Sequence, residues 1–213
     1  MKLRYLLSAA IASVSILSCN DGSQDQASEV DAYNAGSQEV HVVVSAPLGL
    51  SGREQRLWMC KGKQVLSGTR TDGYSISIGK GVGRFTSLSS QTTSNRGISG
   101  SNLTPVGELK VINKIPGTCG EGMLSRCIHL GGVERGVNDN THRREIYIHG
   151  TPTSNYSRLG KSASHGCIRM GQNDVKVVYN NVRVGTRVYV NSVNAVPHGN
   201  PCAFIGDHNG RAR

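Results

Sequence analysis

Short runs of alternating or β-branched residues, each bounded by turn residues, recur along most of the chain. Such runs are typical of strands. They predict strands at residues 40–45, 56–60, 74–78, 108–112, 127–130, 145–149 and 187–190. The expected fold class is therefore mainly β, either a β-sandwich or a barrel-like sheet.

One segment, residues 173–180, has helical spacing instead. Asn173 is a plausible N-cap, and Asp174 suits the positive end of the helix dipole. The apolar face of this helix consists of Val175, Val178 and Tyr179. We therefore expect one short helix among many strands.

The stretch from residue 81 to 102 is dominated by Ser, Thr, Gly and Asn and is too long for a hairpin loop. Loops of this length are usually functional lids or disordered insertions, and both interpretations stay open. The whole chain has 213 residues, of which 37% are hydrophobic and 27 are glycines. This composition excludes a collagen, a coiled coil and a polytopic membrane protein, and it favours one β-rich domain with appendages.

The N-terminus has the three-part pattern of a secretory signal. Lys2 and Arg4 precede an apolar run at residues 6–17, which is too short to span a bilayer. Residues 16–19 (ILSC) resemble the lipobox of bacterial lipoproteins, which implies that residues 1–18 are removed and that Cys19 is acylated. The alternative is an ordinary signal peptide that ends near a cysteine.

Residues 20–38 lack apolar periodicity and are rich in Ser, Gln, Asn and Asp, so they are expected to form a disordered linker. Fully extended, this linker would reach at most about 63 Å. The predicted organisation is a lipoprotein signal (1–18), an acylated cysteine with its linker (19–38), one main domain (39–192) and a C-terminal tail (193–213). The expected location is the periplasm, with a lipid anchor in the outer membrane; a soluble periplasmic protein is the alternative.

Six cysteines suit an exported protein better than a cytosolic one. If Cys19 is acylated and Cys167 is reserved for chemistry, four cysteines remain, and they allow three disulfide connectivities. The short loop favours Cys119 with Cys127, which leaves Cys60 with Cys202. Free thiols, and a metal site of Cys119, Cys127 and His129, are the alternatives.

The net charge of +10 is unevenly distributed. The first 38 residues hold two basic and four acidic side chains, so the remainder carries +12. Such a body attracts anionic polymers at short range. Nucleic acid is disfavoured because the basic residues are dispersed, aromatic residues are few, and the leader directs export.

The clearest chemical pattern is His149-Gly150-Thr151 followed by the sequence SHGCIRM at residues 164–170. Alternation along residues 145–149 predicts that His149 leaves the core at a strand end. Cys167 follows Gly166, which permits close approach of a substrate. A cysteine attacks as a thiolate, so it needs a nearby imidazole or positive charge.

His149, fourteen intervening residues and then SHGCIRM resemble the active-site signature of the YkuD-type L,D-transpeptidases, which remodel bacterial peptidoglycan. Residues 55–66 resemble the paired strands that open this catalytic domain, and residues 104–109 (TPVGEL) resemble its TPxGxF segment, with Leu109 in place of the aromatic residue. Residues 172–190 resemble its closing helix, turn and strand. The resemblance covers roughly residues 40–191.

The resemblance implies that Cys167 is the nucleophile and His149 its general base, with the Gly150 carbonyl orienting the imidazole. It implies that His165 supports the site and that backbone N–H groups at Gly166 and Cys167 form an oxyanion hole. Substrate-binding or loop-fixing residues would be Ser164, Arg169 and Thr151.

The implied substrate is a peptidoglycan tetrapeptide stem, whose third residue is acylated onto Cys167 with release of D-Ala and then transferred to an amine. No cofactor or metal is needed, carbapenems are expected inhibitors, and the only membrane contact is the lipid anchor. Three alternatives are an L,D-carboxypeptidase that uses water, a wall-binding lipoprotein without catalysis, and a zinc site of His149, His165 and Cys167.

Overall fold

The seven predicted strands, together with two short strands at residues 64–65 and 168–170 that alternation did not indicate, are present in a computed structural model that describes residues 40–45, 55–86, 93–191 and 200–204. All of these residues belong to the compact unit Gln38–Arg213. The strands are β1 (Val40–Ser45), β2 (Arg56–Lys61), β3 (Gln64–Val65), β4 (Tyr74–Ser77), β5 (Gly107–Ile115), β6 (Leu124–Gly132), β7 (Tyr147–Gly150), β8 (Ile168–Met170) and β9 (Arg187–Asn191). The helices are α1 (Thr93–Gly97) and α2 (Gln172–Asn181).

Eight strands close into a barrel in the order β1-β9-β5-β6-β7-β8-β4-β2, because β2 pairs back with β1 along all six residues. Strand β3 extends from β2 as a short hairpin. The pairs β1–β9 and β7–β8 are parallel, and the others are antiparallel. The predicted mainly β, barrel-like fold is confirmed.

The barrel encloses one main hydrophobic core, to which every second residue of most strands contributes. Leu109 and Val111 of β5 and Ile148 of β7 are essentially fully buried in it. Helix α2 covers the barrel with Val175 and Val178, as its apolar spacing predicts. Each such side chain stabilises the fold by about 1.5–3 kcal/mol relative to its exposed state.

The start of α2 differs from the prediction. The N-cap is Gly171, without a side-chain cap, so the expectation that Asn173 caps the helix is wrong. Asp174 does lie in the first turn. The Oη atom of Tyr156 accepts a hydrogen bond from the N–H of Gln172 at 2.8 Å. A distant tyrosine thus satisfies a donor that a helix normally leaves unpaired.

The insertion after Gly81 is structured where it is described. It contains a 3₁₀ turn at Gly83–Phe85 and helix α1, and the side chain of Arg96 is only 1% exposed. These parts are therefore packed against the domain rather than disordered. Residues 87–92 lie outside the described residues.

The favoured disulfide pairing is confirmed. Cys119 bonds to Cys127 and Cys60 to Cys202, with Cα–Cα distances of 6.2 and 5.7 Å. The metal site of Cys119, Cys127 and His129 is therefore wrong, because both sulfurs are bonded to each other. The second bridge fixes a 3₁₀ turn at Pro201–Phe204 against β2.

Several predicted features lie outside the described residues: the leader (1–18), Cys19, the linker (20–38) and the tail other than residues 200–204. None of the helices in the described ranges combines the length and apolarity needed to cross a membrane.

Candidate active site

Two parallel strands, β7 and β8, bring the predicted catalytic residues together. In their register Ile148 is opposite Ile168, and His149 is opposite Arg169. Because side chains alternate between the faces of a strand, Ile148 and Ile168 enter the core while His149 and Arg169 share the outer face. Cys167 immediately precedes β8 and has the same parity as Arg169. His149 and Cys167 are thus diagonal neighbours on one side of the sheet.

The sulfur of Cys167 lies against the backbone at the start of β7. The N–H of Tyr147 donates to Sγ at 3.5 Å, and the thiol donates to the carbonyl of Glu145, also at 3.5 Å. Burial raises the pKa of the Cys167 thiol, and the negative charge of Glu145 adds to this effect. Its pKa is lowered by the Tyr147 N–H and by the charges of Arg169 and Arg144. The resting cysteine is therefore a neutral thiol surrounded by groups that favour its anion.

The imidazole of His149 is held in one tautomer. Its Nδ1 lies 2.8 Å from the carbonyl oxygen of Gly150, which can only accept, so Nδ1 carries the proton and Nε2 has the free lone pair. Burial lowers the pKa of His149 to about 4, the charge of Arg169 acts in the same direction, and the Gly150 bond opposes both. His149 lies outside the core cluster, as alternation predicts, yet it is only 2% exposed. It is a neutral base at physiological pH.

The loop before Cys167 is fixed by Ser164. Its Oγ donates to the carbonyl of Cys167 at 2.5 Å and accepts the N–H of Gly166 at 3.2 Å. Gly166 has φ +122°, and a methyl group there would lie 3.0 Å from Cδ1 of Ile146. Glycine is therefore required at this position. Because the N–H of Gly166 already donates to Ser164, it would have to be released before it could bind an oxyanion.

A family model for the L,D-transpeptidase catalytic domain, YkuD, matches residues 40–190. The chain belongs to the YkuD family. The resemblance found in the sequence is thereby confirmed, and the family signature accounts for the cysteine and histidine that β7 and β8 bring together.

Three solved structures are similar to this YkuD domain. They are L,D-transpeptidases from Mycobacterium smegmatis (16% identity, TM-score 0.43) and Mycobacterium tuberculosis H37Rv (20%, 0.45), and L,D-transpeptidase 3 from Mycobacterium tuberculosis with a faropenem-derived adduct (19%, 0.42). The matches cover 72%, 72% and 71% of this chain and 59%, 58% and 60% of those chains. The chain thus spans about three fifths of their length. Comparison with curated proteins gives no match.

The other predicted residues of the YkuD site are differently placed. His165 is exposed beside the cysteine, whereas Thr151 is 1% exposed and its side chain does not reach the surface. Arg169 is half-buried and donates to the carbonyl of Ala163 at 3.3 Å. Within the described ranges, no group of His, Cys, Asp or Glu side chains could hold a metal ion, so nothing supports the zinc alternative.

Sequence reasoning gave no role to three residues that act on the sulfur, Arg144, Glu145 and Tyr147, or to Thr104, which is bonded to Gly166. Thr104 belonged to the TPVGEL segment, which was the one available signal. The ring of Tyr147 stacks on His129, with centroids 4.5 Å apart and 23° between the planes. It forms an aromatic surface beside the nucleophile.

Proposed function

We propose that this chain is a peptidoglycan L,D-transpeptidase whose nucleophile is Cys167 and whose general base is His149. The observation that carries the proposal is the pairing of a neutral, tautomerically fixed imidazole with a cysteine on the same outer face of the β7–β8 pair. Membership of the YkuD family supports the reaction class.

In the first half-reaction, Nε2 of His149 removes the thiol proton as Sγ attacks the carbonyl of the third stem residue. The bond between that residue and D-Ala then breaks. The imidazolium returns its proton to the leaving amine, so D-Ala departs as a neutral amine and a thioester remains on Cys167. The energy of the cleaved amide is partly retained in the thioester, and no ATP is consumed.

In the second half-reaction, an amine from another stem attacks the thioester. His149 accepts the proton of the amine, the carbon–sulfur bond breaks, and the thiolate is protonated again. The product is a 3→3 cross-link. Attachment to a protein or an amino acid follows the same steps with a different amine. With water as the acceptor, the same site would act as an L,D-carboxypeptidase.

The charges at the site support a base-catalysed attack rather than a preformed ion pair. The pKa of His149 is low and that of Cys167 is raised by burial, so both are neutral before substrate binds. Proton transfer therefore accompanies attack. Arg169 and Arg144 stabilise the anion as it forms, and the N–H of Cys167 is the proposed donor to the oxyanion.

The products formed from purified disaccharide-tetrapeptides, identified by mass spectrometry, test this proposal. Cross-linked dimers with release of D-Ala are expected from the wild type. The Cys167→Ala protein is expected to give no such product. Tripeptides alone would indicate the carboxypeptidase. If wild-type protein gives neither product and forms no covalent adduct with a carbapenem, the chain is a wall-binding lipoprotein and the enzymatic proposal is wrong.

We also propose that the protein acts in the periplasm and is anchored to the outer membrane through Cys19. The lipobox-like residues 16–19 and the linker-like residues 20–38 motivate this location. Detergent phase partitioning of the wild type and of Cys19→Ser tests it. Wild-type protein is expected in the detergent phase and the variant in the aqueous phase. Equal partitioning of the two into water would indicate a soluble periplasmic protein.

A further inference from the structure

The insertion after Gly81 is connected to the catalytic loop by a chain of hydrogen bonds. The guanidinium of Arg96, on helix α1, donates to the carbonyl of Thr104 at 3.4 Å. The hydroxyl of Thr104 donates to the carbonyl of Gly166 at 2.8 Å and accepts the N–H of Gly79 at 2.8 Å. Gly166 directly precedes Cys167. The side chains of Arg96 and Thr104 therefore link the insertion to the backbone next to the nucleophile.

Arg144, from the segment before β7, is bonded to the insertion and to the residue that follows it. Its Nη1 donates to the carbonyl of Arg96 at 2.5 Å and its Nη2 donates to the carbonyl of Leu103 at 2.6 Å. A planar guanidinium suits two acceptors at fixed separation, and lysine offers only a single point charge. A methyl group at Gly166 would lie 3.7 Å from Nη2 of Arg144. One cation thus bridges the insertion and borders the loop that carries Cys167.

The charge of Arg144 favours the anionic form of the Cys167 sulfur. Arg144 is largely buried, so water screens its charge only weakly. The other charged or titratable groups near Cys167 are Arg169 from β8, Glu145 from the segment before β7, Tyr147 and His149 from β7, and the exposed His165 of its own loop. Of the two cations that act on Cys167, only Arg144 is tied to the insertion.

We infer that Arg144 is a positioning residue for Cys167: bridged to the Gly81–Asn102 insertion, it holds a positive charge beside the nucleophile and braces the loop that carries it. The insertion is then part of the catalytic support. This inference rests on the proposed role of Cys167 as nucleophile, but thiol reactivity can be measured without peptidoglycan.

Alkylation of Cys167 by iodoacetamide, followed by mass spectrometry of its peptide in the full-length protein between pH 6 and 11.5, tests the inference. Arg144→Gln is expected to shift the alkylation midpoint upward by about one pH unit and to slow alkylation at pH 7 about tenfold, because less thiolate is present. Arg143→Gln is the matched control, because the Arg143 side chain is exposed. The alkylation profile of this variant should equal that of the wild type. An unchanged midpoint in folded Arg144→Gln, or an equal shift in Arg143→Gln, would overturn the inference.

Arg144→Lys separates charge from bracing, and it decides the matter if Arg144→Gln does not fold. Lysine keeps the charge but cannot serve both carbonyls. We expect a near wild-type alkylation midpoint together with faster amide hydrogen exchange in residues 93–104. A shifted midpoint with wild-type exchange would contradict the inference. Failure of the wild type to process muropeptides would refute the proposed function, while the alkylation profiles would still decide the role of Arg144.

Discussion

The hydroxyl of Thr104 donates a hydrogen bond to the carbonyl of Gly166, 62 residues away along the chain, at 2.8 Å. Thr104 is fully buried, and its Oγ1 also accepts the N–H of Gly79. One side chain therefore satisfies backbone groups from two other segments. It couples the TPVGEL segment to the residue before the nucleophile.

Replacing Thr104 with Val should remove both hydrogen bonds while nearly preserving the volume of the side chain. The buried N–H of Gly79 and carbonyl of Gly166 would lose this partner, at a cost of about 1–3 kcal/mol in the free energy of unfolding. Acylation by a carbapenem should also slow, because the catalytic loop is less constrained. Urea denaturation and stopped-flow acylation measure the two effects. Thr104→Ser keeps the hydroxyl and should therefore keep both hydrogen bonds. If the Val variant equals the wild type in stability and acylation rate, these bonds are dispensable.

His149→Gln should slow acylation of Cys167 by about 10²–10⁴-fold, the usual contribution of a general base. Glutamine has no group that can take the thiol proton. His165→Gln is the matched control, because that side chain is exposed beside the same cysteine. The rate of carbapenem adduct formation at pH 7 measures both variants. A larger loss in His165→Gln than in His149→Gln would reverse the roles assigned to the two histidines.

Acid should weaken the fold through His149. Its pKa is about 4 in the folded protein and about 6.5 in an unfolded chain, so the unfolded state binds more protons between these values. Stability is therefore fully present above about pH 6.5, falls as pH is lowered, and levels off below about pH 4, a loss of about 3 kcal/mol from this residue. Chemical denaturation at a series of pH values gives the slope. The slope should be shallower in His149→Gln; the same slope in both proteins would place the sensitivity elsewhere.

Removing the Cys60–Cys202 bridge should destabilise the domain by about 2–4 kcal/mol, because the unfolded chain gains freedom over a long loop. The double variant Cys60→Ser, Cys202→Ser avoids leaving an unpaired thiol that could react with Cys167. Thermal unfolding under non-reducing conditions measures the change. The Cys119–Cys127 bridge closes a much shorter loop, with a separation of 8 residues against 142. The double variant Cys119→Ser, Cys127→Ser should therefore lose less stability. The opposite order would argue against this entropic explanation.

Alternation did not indicate the short strands β3 and β8 or helix α1. Alternation and local motifs did predict the other seven strands, the barrel-like class, helix α2 and the two disulfides. Each depends on spacing within a segment or on counting cysteines. The cap of α2 could not be predicted in this way. Asn173 has the better intrinsic preference, but the chain leaves β8 at Gly171, and Tyr156 from another loop supplies the acceptor.

The support of the cysteine was equally hidden from the sequence. Arg96 lies in a polar stretch that looks like a solvated loop, yet it is buried, and burial lowers its pKa to about 10. With this pKa it stays charged at neutral pH, and its guanidinium donates to the backbone carbonyl of Thr104. Composition reports the residue type of such a group and not its partners, so an arginine network of this kind can be found only in the folded structure.

Both β7 and β8 are members of the closed eight-stranded barrel, so each is held in register by neighbours on two sides. A slip of one residue in β7 would exchange Ile148 with His149, turning the base into the barrel and a hydrocarbon out to water. The separation of base and nucleophile is consequently a property of the scaffold rather than of its loops. Under the proposed mechanism, a change in the length or composition of the connecting segments would alter the choice of acceptor and leave His149 and Cys167 in place.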